Sequence, residues 1–293
     1  MISFRQHLVT LVAVFLALSV GIVLGGGPLS DVGRGALTSA PAQPDQNRQV
    51  DQAEAFGDAF ATASATRLYG EGLSGRPVAL VTLPGADERT VKGLVAQIEQ
   101  AAGSVDATWA LEPALVEVGE KSLVDTLGSQ LMTQLGGSVA DEGAPTYERM
   151  GQLIGRAIAT KEPAGAATDD TANSIRESLA GAELAVGQDP EAPRAPLVLV
   201  VLGDDTNDDV LGGLVTGLAA AAAGVVVVGD TESGINGDIS GLRTRPTAAD
   251  AATVDGAEHA LGQVAAVLTL IRSLRTTGGS FGASGADGAA PLG

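Results

Sequence analysis

Cysteine is missing from this chain altogether, so no disulfide braces it and no thiolate serves as nucleophile or soft metal ligand. Histidine is nearly missing too, with only His7 and His259, which leaves little material for acid–base catalysis at neutral pH. Aromatic residues make up 3% of the 293 positions while 45% are hydrophobic, so a core must be built from Val, Leu, Ile and Ala. Positive charge is scarce: 17 Lys and Arg stand against 35 Asp and Glu, a net charge of −18. That balance excludes a nucleic-acid footprint, which needs clustered cations facing phosphate. It also opposes lying flat on anionic lipid.

Nucleotide and hydrolase signatures are absent as well. In "GDTESGINGD" (229–238), Gly234 is followed by Ile235 and Asn236, where a phosphate loop needs Lys and then Ser or Thr. No G-x-G-x-x-G follows a strand, and no G-x-S-x-G occurs. The expectation is a protein that is not an enzyme and carries no cofactor.

What the chain does have is an apolar start. Leu8 to Leu24 carries no charged side chain and would span about 25 Å as a helix, close to the roughly 30 Å hydrocarbon core of a bilayer. A cleaved secretion signal has a shorter run and a small-residue cleavage site. Here Pro28 directly follows Gly25, Gly26 and Gly27, and proline poorly fits the extended strand a peptidase grips. Ala13, Ala17, Gly21 and Gly25 recur every four residues. That stripe is either a helix-packing surface for a homo-oligomer or chance in an Ala- and Gly-rich chain. Residues 1–29 read as a retained transmembrane anchor. Arg5 precedes it, whereas Asp31 and Arg34 cancel behind it. The N-terminus is therefore expected in the cytoplasm and the main domain outside.

Residues 30–75 read as a linker and a short stalk helix from Arg48 to Leu68. Val50, Ala53, Gly57, Phe60 and Ser64 fall at a/d-like spacing there, a seam too poor in apolar residues for a coiled coil. From Arg76 the texture changes. "PVALVTL" (77–83), "APLVLVVLG" (195–203) and "GVVVVG" (224–229) are continuous apolar runs, as strands buried on both faces would be. "SVDATWAL" (104–111) reads as a further strand, and Asp87 is placed to cap the helix between it and the first. Helical patterns follow at 121–135, 146–160, 173–186, 208–222 and 256–275. The alternation predicts an α/β fold: a three-layer parallel-sheet domain over 76–275 with a helical insertion in its middle. The Gly-rich tail 276–293 has no periodicity and reads as disordered.

One stretch invites a metal. "GDDTNDD" (203–209) follows a buried strand and precedes a helix, where open α/β sheets bind ligands. Asp204, Asp205, Asp208 and Asp209 could hold a hard cation through oxygen, or simply cap the helix and complement its dipole. Copper(I) prefers sulfur, and beyond Met1 the chain offers only Met132 and Met150.

The opening "MISFRQHLVTLVAVFLALSVGIVLGGGPLSD", then "GRPVALVTLPGAD", "YERMGQLIGRAI" and the ending "FGASGADGAAPLG" resemble the actinobacterial MctB family, described as copper-transport or envelope channel proteins. The resemblance implies a membrane-associated envelope protein linked to copper efflux and homeostasis. It assigns no metal ligands to numbered residues. Two expectations follow: an oligomeric transport component, or a single-pass scaffold whose outer domain holds a cell-wall or division partner.

Overall fold

The computed structural model describes residues 44–136, 139–189 and 191–292. The expected anchor and its stripe, Ala13, Ala17, Gly21 and Gly25, lie outside these residues. Among the described residues no helix is long and apolar enough to cross a membrane.

Helix α1 (Pro44–Tyr69) takes in the stretch read as a stalk helix, and the residues it buries are not those of the a/d-like spacing. Ala61, Ala65 and Tyr69 are buried at a constant spacing of four, whereas Phe60 is 64% exposed. A Cβ added to Gly57 would stand 3.0 Å from the Leu261 side chain, so the stripe starts with a close approach. From Gly57 onward, this spacing by four puts one face of the helix against the domain.

Strand β1 (Pro77–Thr82) leads through α2 (Glu88–Gln100) to β2 (Ser104–Leu111). As expected, the Asp87 carboxylate accepts the Thr90 N–H and caps α2. The insertion follows as α3 (Pro113–Val116), α4 (Lys121–Leu135), α5 (Thr146–Ile158) and α6 (Asp170–Gly181). The chain then forms β3 (Ala185–Gly187), β4 (Leu197–Val201), α7 (Asp208–Ala221) and β5 (Gly224–Val228). Two short helices, α8 (Thr231–Ile235) and α9 (Asp238–Arg243), precede β6 (Ala252–Asp255), α10 (Ala260–Ser273) and β7 (Ser280–Gly282).

The seven strands form one sheet in the order β3-β2-β1-β4-β5-β6-β7. Helices α4 to α7 and α9 cover one face, and α1, α2 and α10 cover the other. The central strands are buried on both sides, which explains their unbroken Val and Leu runs. Helix α10 shares a face with α2, although β7 is added at the opposite edge from β2. The β6–α10–β7 crossover therefore has the opposite hand to β1–α2–β2, where such crossovers almost always share one hand.

Two expectations need correction. The sheet is mixed, not parallel throughout, because β3 runs antiparallel to β2. The insertion leaves from the C-terminal end of β2 and returns to that same end, pairing Leu111 with Ala185, so the returning strand must run backwards. The Gly-rich tail is also not without structure. It supplies β7, buries Phe281 against α10 and folds back on itself, with the Asp287 N–H donating to Ser280 O. Gly282 at φ +104 lets the tail press onto Asp255, where a Cβ would lie 2.4 Å from the Asp255 carbonyl oxygen.

Helices α5 and α7 approach through glycines. A Cβ on Gly151 would stand 2.3 Å from Leu214 O, and one on Gly217 would stand 2.2 Å from Glu148 O. Small residues four apart on each helix, Gly151 and Gly155 against Gly213 and Gly217, let the two backbones touch.

Candidate functional site at the carboxyl edge of the sheet

The strand order reverses between β1 and β4, where doubly wound sheets usually bind ligands. Here the two loops are pressed together instead. The Asp204 N–H donates to Pro84 O at 2.9 Å. A Cβ on Gly203 would lie 2.1 Å from Pro84 O, and one on Gly85 (φ +80) would lie 2.4 Å from the Asp204 carboxyl carbon. A pyrophosphate has no room at that point.

A cavity of about 180 Å³ remains beside this contact, reaching the ends of β4 and β5. Its carboxylates are already engaged as helix caps. Asp87 accepts from Thr90 N–H, Asp230 from Ser233 N–H at 2.7 Å, and Glu258 from Thr231 N–H at 3.1 Å. The fold's own acids thus occupy positions that an anionic ligand would take.

The four sequence-predicted aspartates do not converge on one point. Asp204 turns toward Gly85, while Asp205 lies near Gly237. Asp209 pairs with Arg245 at 2.8 Å, and Asp208 stands 3.9 Å from the same guanidinium. The cap of α7 is Asn207, whose Oδ1 accepts from Asp209 N–H and Val210 N–H; none of the aspartates caps it. Asp208 and Asp209 occupy the first helical turn, where they favour the positive end of the dipole. Among the described residues, no three His, Asp or Glu side chains are arranged to hold a metal ion.

The sequence reading missed Asp238. It opens α9 and is 5% exposed, in the wall of a groove of about 440 Å³ shared with Asp205, Asp208 and Thr244. Burial pushes its pKa up to about 6, with the charges of Asp205 and Asp208 adding to the effect. The Thr206 N–H donates to its carboxylate at 3.2 Å and works the other way. Thr206 lies 32 residues earlier in the chain, so no local pattern announces the pairing.

Asp255 was missed for the same reason. It is fully buried, paired with Arg243 and bonded to both the N–H and the hydroxyl of Ser284. Soft ligands do not converge. Met132 on α4 and Met150 on α5 are packed in the aliphatic core on one face of the sheet. His259 precedes α10, with Nδ1 3.5 Å from Asp58 and Nε2 3.8 Å from Glu258. The arrangement caps helices, closes loops and ties down the tail.

Comparison with known proteins supplies what the geometry does not. Residues 1–291 match the family described as "Copper transport outer membrane protein, MctB". A protein named "Copper transporter MctB" from Mycobacterium tuberculosis is 28% identical over 300 residues, covering 92% of each chain, and its namesake from Mycobacterium bovis matches equally. The Mycobacterium leprae protein of that name is 29% identical over 167 residues, 52% of this chain and 51% of its own. With a match that runs from the first residue to the ordered tail, the chain belongs to the MctB family.

Proposed function

We propose that this chain is a membrane-held envelope protein that works in copper efflux and thereby in copper homeostasis, with its α/β domain outside the cytoplasm. The observation that carries this reading is the family match over residues 1–291, which takes in the apolar N-terminal run and the C-terminal segment alike. The relatives are named copper transporters.

Copper is the cargo in this reading, and the α/β domain acts by assembly rather than as a conduit. Its central strands are buried on both faces, whereas barrel strands alternate between lipid and lumen. The two described thioethers sit in its aliphatic core. The same packing favours the second reading, a single-pass scaffold for a cell-wall or division partner.

Copper-dependent growth of a deletion strain tests the proposal. The strain should lose copper tolerance and accumulate copper, restored by the full chain but not by a chain beginning at residue 30. Unchanged tolerance and copper content would leave the scaffold reading standing. For the topology, a C-terminal alkaline phosphatase fusion should be active, and an inactive one would reverse it.

A further inference from the structure

The opposite edge of the sheet has a different chemistry. There the end of α5, the turn after it and the approach to β4 border an open cavity of about 430 Å³, an ordinary size for a small-molecule site. Arg156 lies in the last turn of α5, Thr160 and Lys161 follow it, and Arg194 precedes β4. Ala220 and Ala221 at the end of α7 contribute only methyl groups, which keeps the space open.

We propose that the cavity walled by Arg156, Lys161 and Arg194 binds a small oxyanion, a molecule bearing phosphate or carboxylate.

The backbone that presents these cations is held before any ligand arrives. Thr160 N–H donates to Ala195 O at 3.0 Å, Ala195 N–H to Ile158 O at 2.9 Å, and Arg194 N–H to Ala166 O at 2.8 Å. Asp169 bridges the two guanidinium groups, 2.9 Å from Arg156 and 3.0 Å from Arg194. One carboxylate shared by two arginines leaves positive charge over, and Lys161 adds to it. Burial works against the charge of Asp169, but the Ala172 amide and the two arginines outweigh it and hold its pKa below the usual range.

The guanidinium of Arg156 is incompletely satisfied. Its Nη1 is closed from solvent and has no hydrogen-bond partner among the described residues. A buried charged donor without an acceptor is a cost that a small rotation toward an oxyanion would remove. The one further acid in the wall, Asp141, turns its carboxylate to the Gly143 N–H at 3.0 Å. Gln152 accepts the Asp141 N–H through Oε1, which leaves its amide nitrogen to the cavity.

Arg156 alone would be accounted for by the end of α5, where a cation complements the helix dipole. Arg194 is held in place by Asp169 and by Ala167 O, to which its Nε donates at 3.3 Å, whereas Lys161 lies off the helices and has no ion pair among the described residues to hold it there. In a chain of net charge −18, three cations around one cavity are a local reversal of sign.

Isothermal titration of the full chain with inorganic phosphate and, separately, with citrate tests the site, at constant ionic strength with chloride as reference. Saturable binding to one site is expected. Binding of phosphate alone points to phosphorylated ligands, and binding of citrate alone points to carboxylates. The pair K161Q and R194Q should weaken binding at least tenfold, while K92Q on α2 leaves it unchanged. Lys161 is exposed, so K161Q by itself keeps the test if the double variant does not fold, with an expected loss of about threefold. Heats indistinguishable from chloride, or K161Q binding as tightly as the native chain, would overturn the proposal.

Discussion

The Arg243 guanidinium at the end of α9 stands 2.7 Å from Asp255, a carboxylate on β6 that no solvent reaches. Ser284 completes the arrangement from the C-terminal segment, its hydroxyl bonding both Asp255 and Gly234 O. Breaking a buried pair by removing one partner leaves an uncompensated charge and costs about 3–5 kcal/mol. Arg243→Met is expected to lose that much in urea unfolding and to open the segment after Phe281 to protease. Ser284→Ala should cost less, about 1–3 kcal/mol, because it removes a hydroxyl but leaves the charge pair intact. An Arg243→Met protein that melts like the native one, with its tail still protected, would refute this account of the tail.

The α5–α7 contact makes a sharper steric prediction. Valine at position 217 would drive side-chain atoms into the backbone of Glu148 and Gln152. Gly217→Val should destabilise by about 3 kcal/mol or more. Gly119, where an added Cβ meets nothing within 4 Å, is the control, and Gly119→Ala should stay within about 0.5 kcal/mol. Equal melting temperatures for the two variants would rule out the close approach.

Asp238 sets a pH dependence with a definite sign. Its folded-state pKa, about 6, lies above the ordinary 3.8, so between these values the native state holds a proton that the unfolded chain has released. Stability therefore falls as pH rises through that window, by about 3 kcal/mol in all. Asp125, held below its usual range first by the Thr146 hydroxyl, has the opposite sign and loses its contribution as pH falls. Asp238→Asn should be more stable than the native chain at pH 7.5, and the gap should close toward pH 4. A gap that does not change with pH would show that the Asp238 charge is not the cause.

Copper(I) gives a chemical prediction. Tight binding needs converging soft ligands, and Met132, Met150 and His259 belong to different elements, the two thioethers in an aliphatic core. In competition with a chromophoric copper(I) chelator, the purified full chain is expected to leave the metal on the chelator. Stoichiometric capture that is lost in a Met132→Leu, Met150→Leu protein would restore direct binding.

The N-terminus is expected to be retained. Mass spectrometry of membrane-extracted protein should recover peptides from residues 1–24, and a mature start at Pro28 or Gln43 would sink the anchor reading.

How much of this was readable in the sequence depends on how far apart the interacting residues stand. The apolar runs of β1, β4 and β5, the Asp87 cap and the helix at 208–222 were legible, because burial on two faces, capping and helical periodicity act over a few residues. The segments that carry the family resemblance were legible as words but not in their purpose. "GRPVALVTLPGAD" brings Gly85 against Asp204, "YERMGQLIGRAI" brings Gly151 and Gly155 against α7, and the "FGASG" ending ties Ser284 to Asp255. The tertiary structure alone decided that β3 runs backwards, that the Gly-rich tail adds a strand, and that four neighbouring aspartates do not meet at one point. It also placed Asp238 under the Thr206 amide and Arg194 beside Arg156, across Asp169. Those outcomes follow from where crossovers return the chain and which distant polar groups must satisfy one another once buried, and no window of local pattern contains both partners.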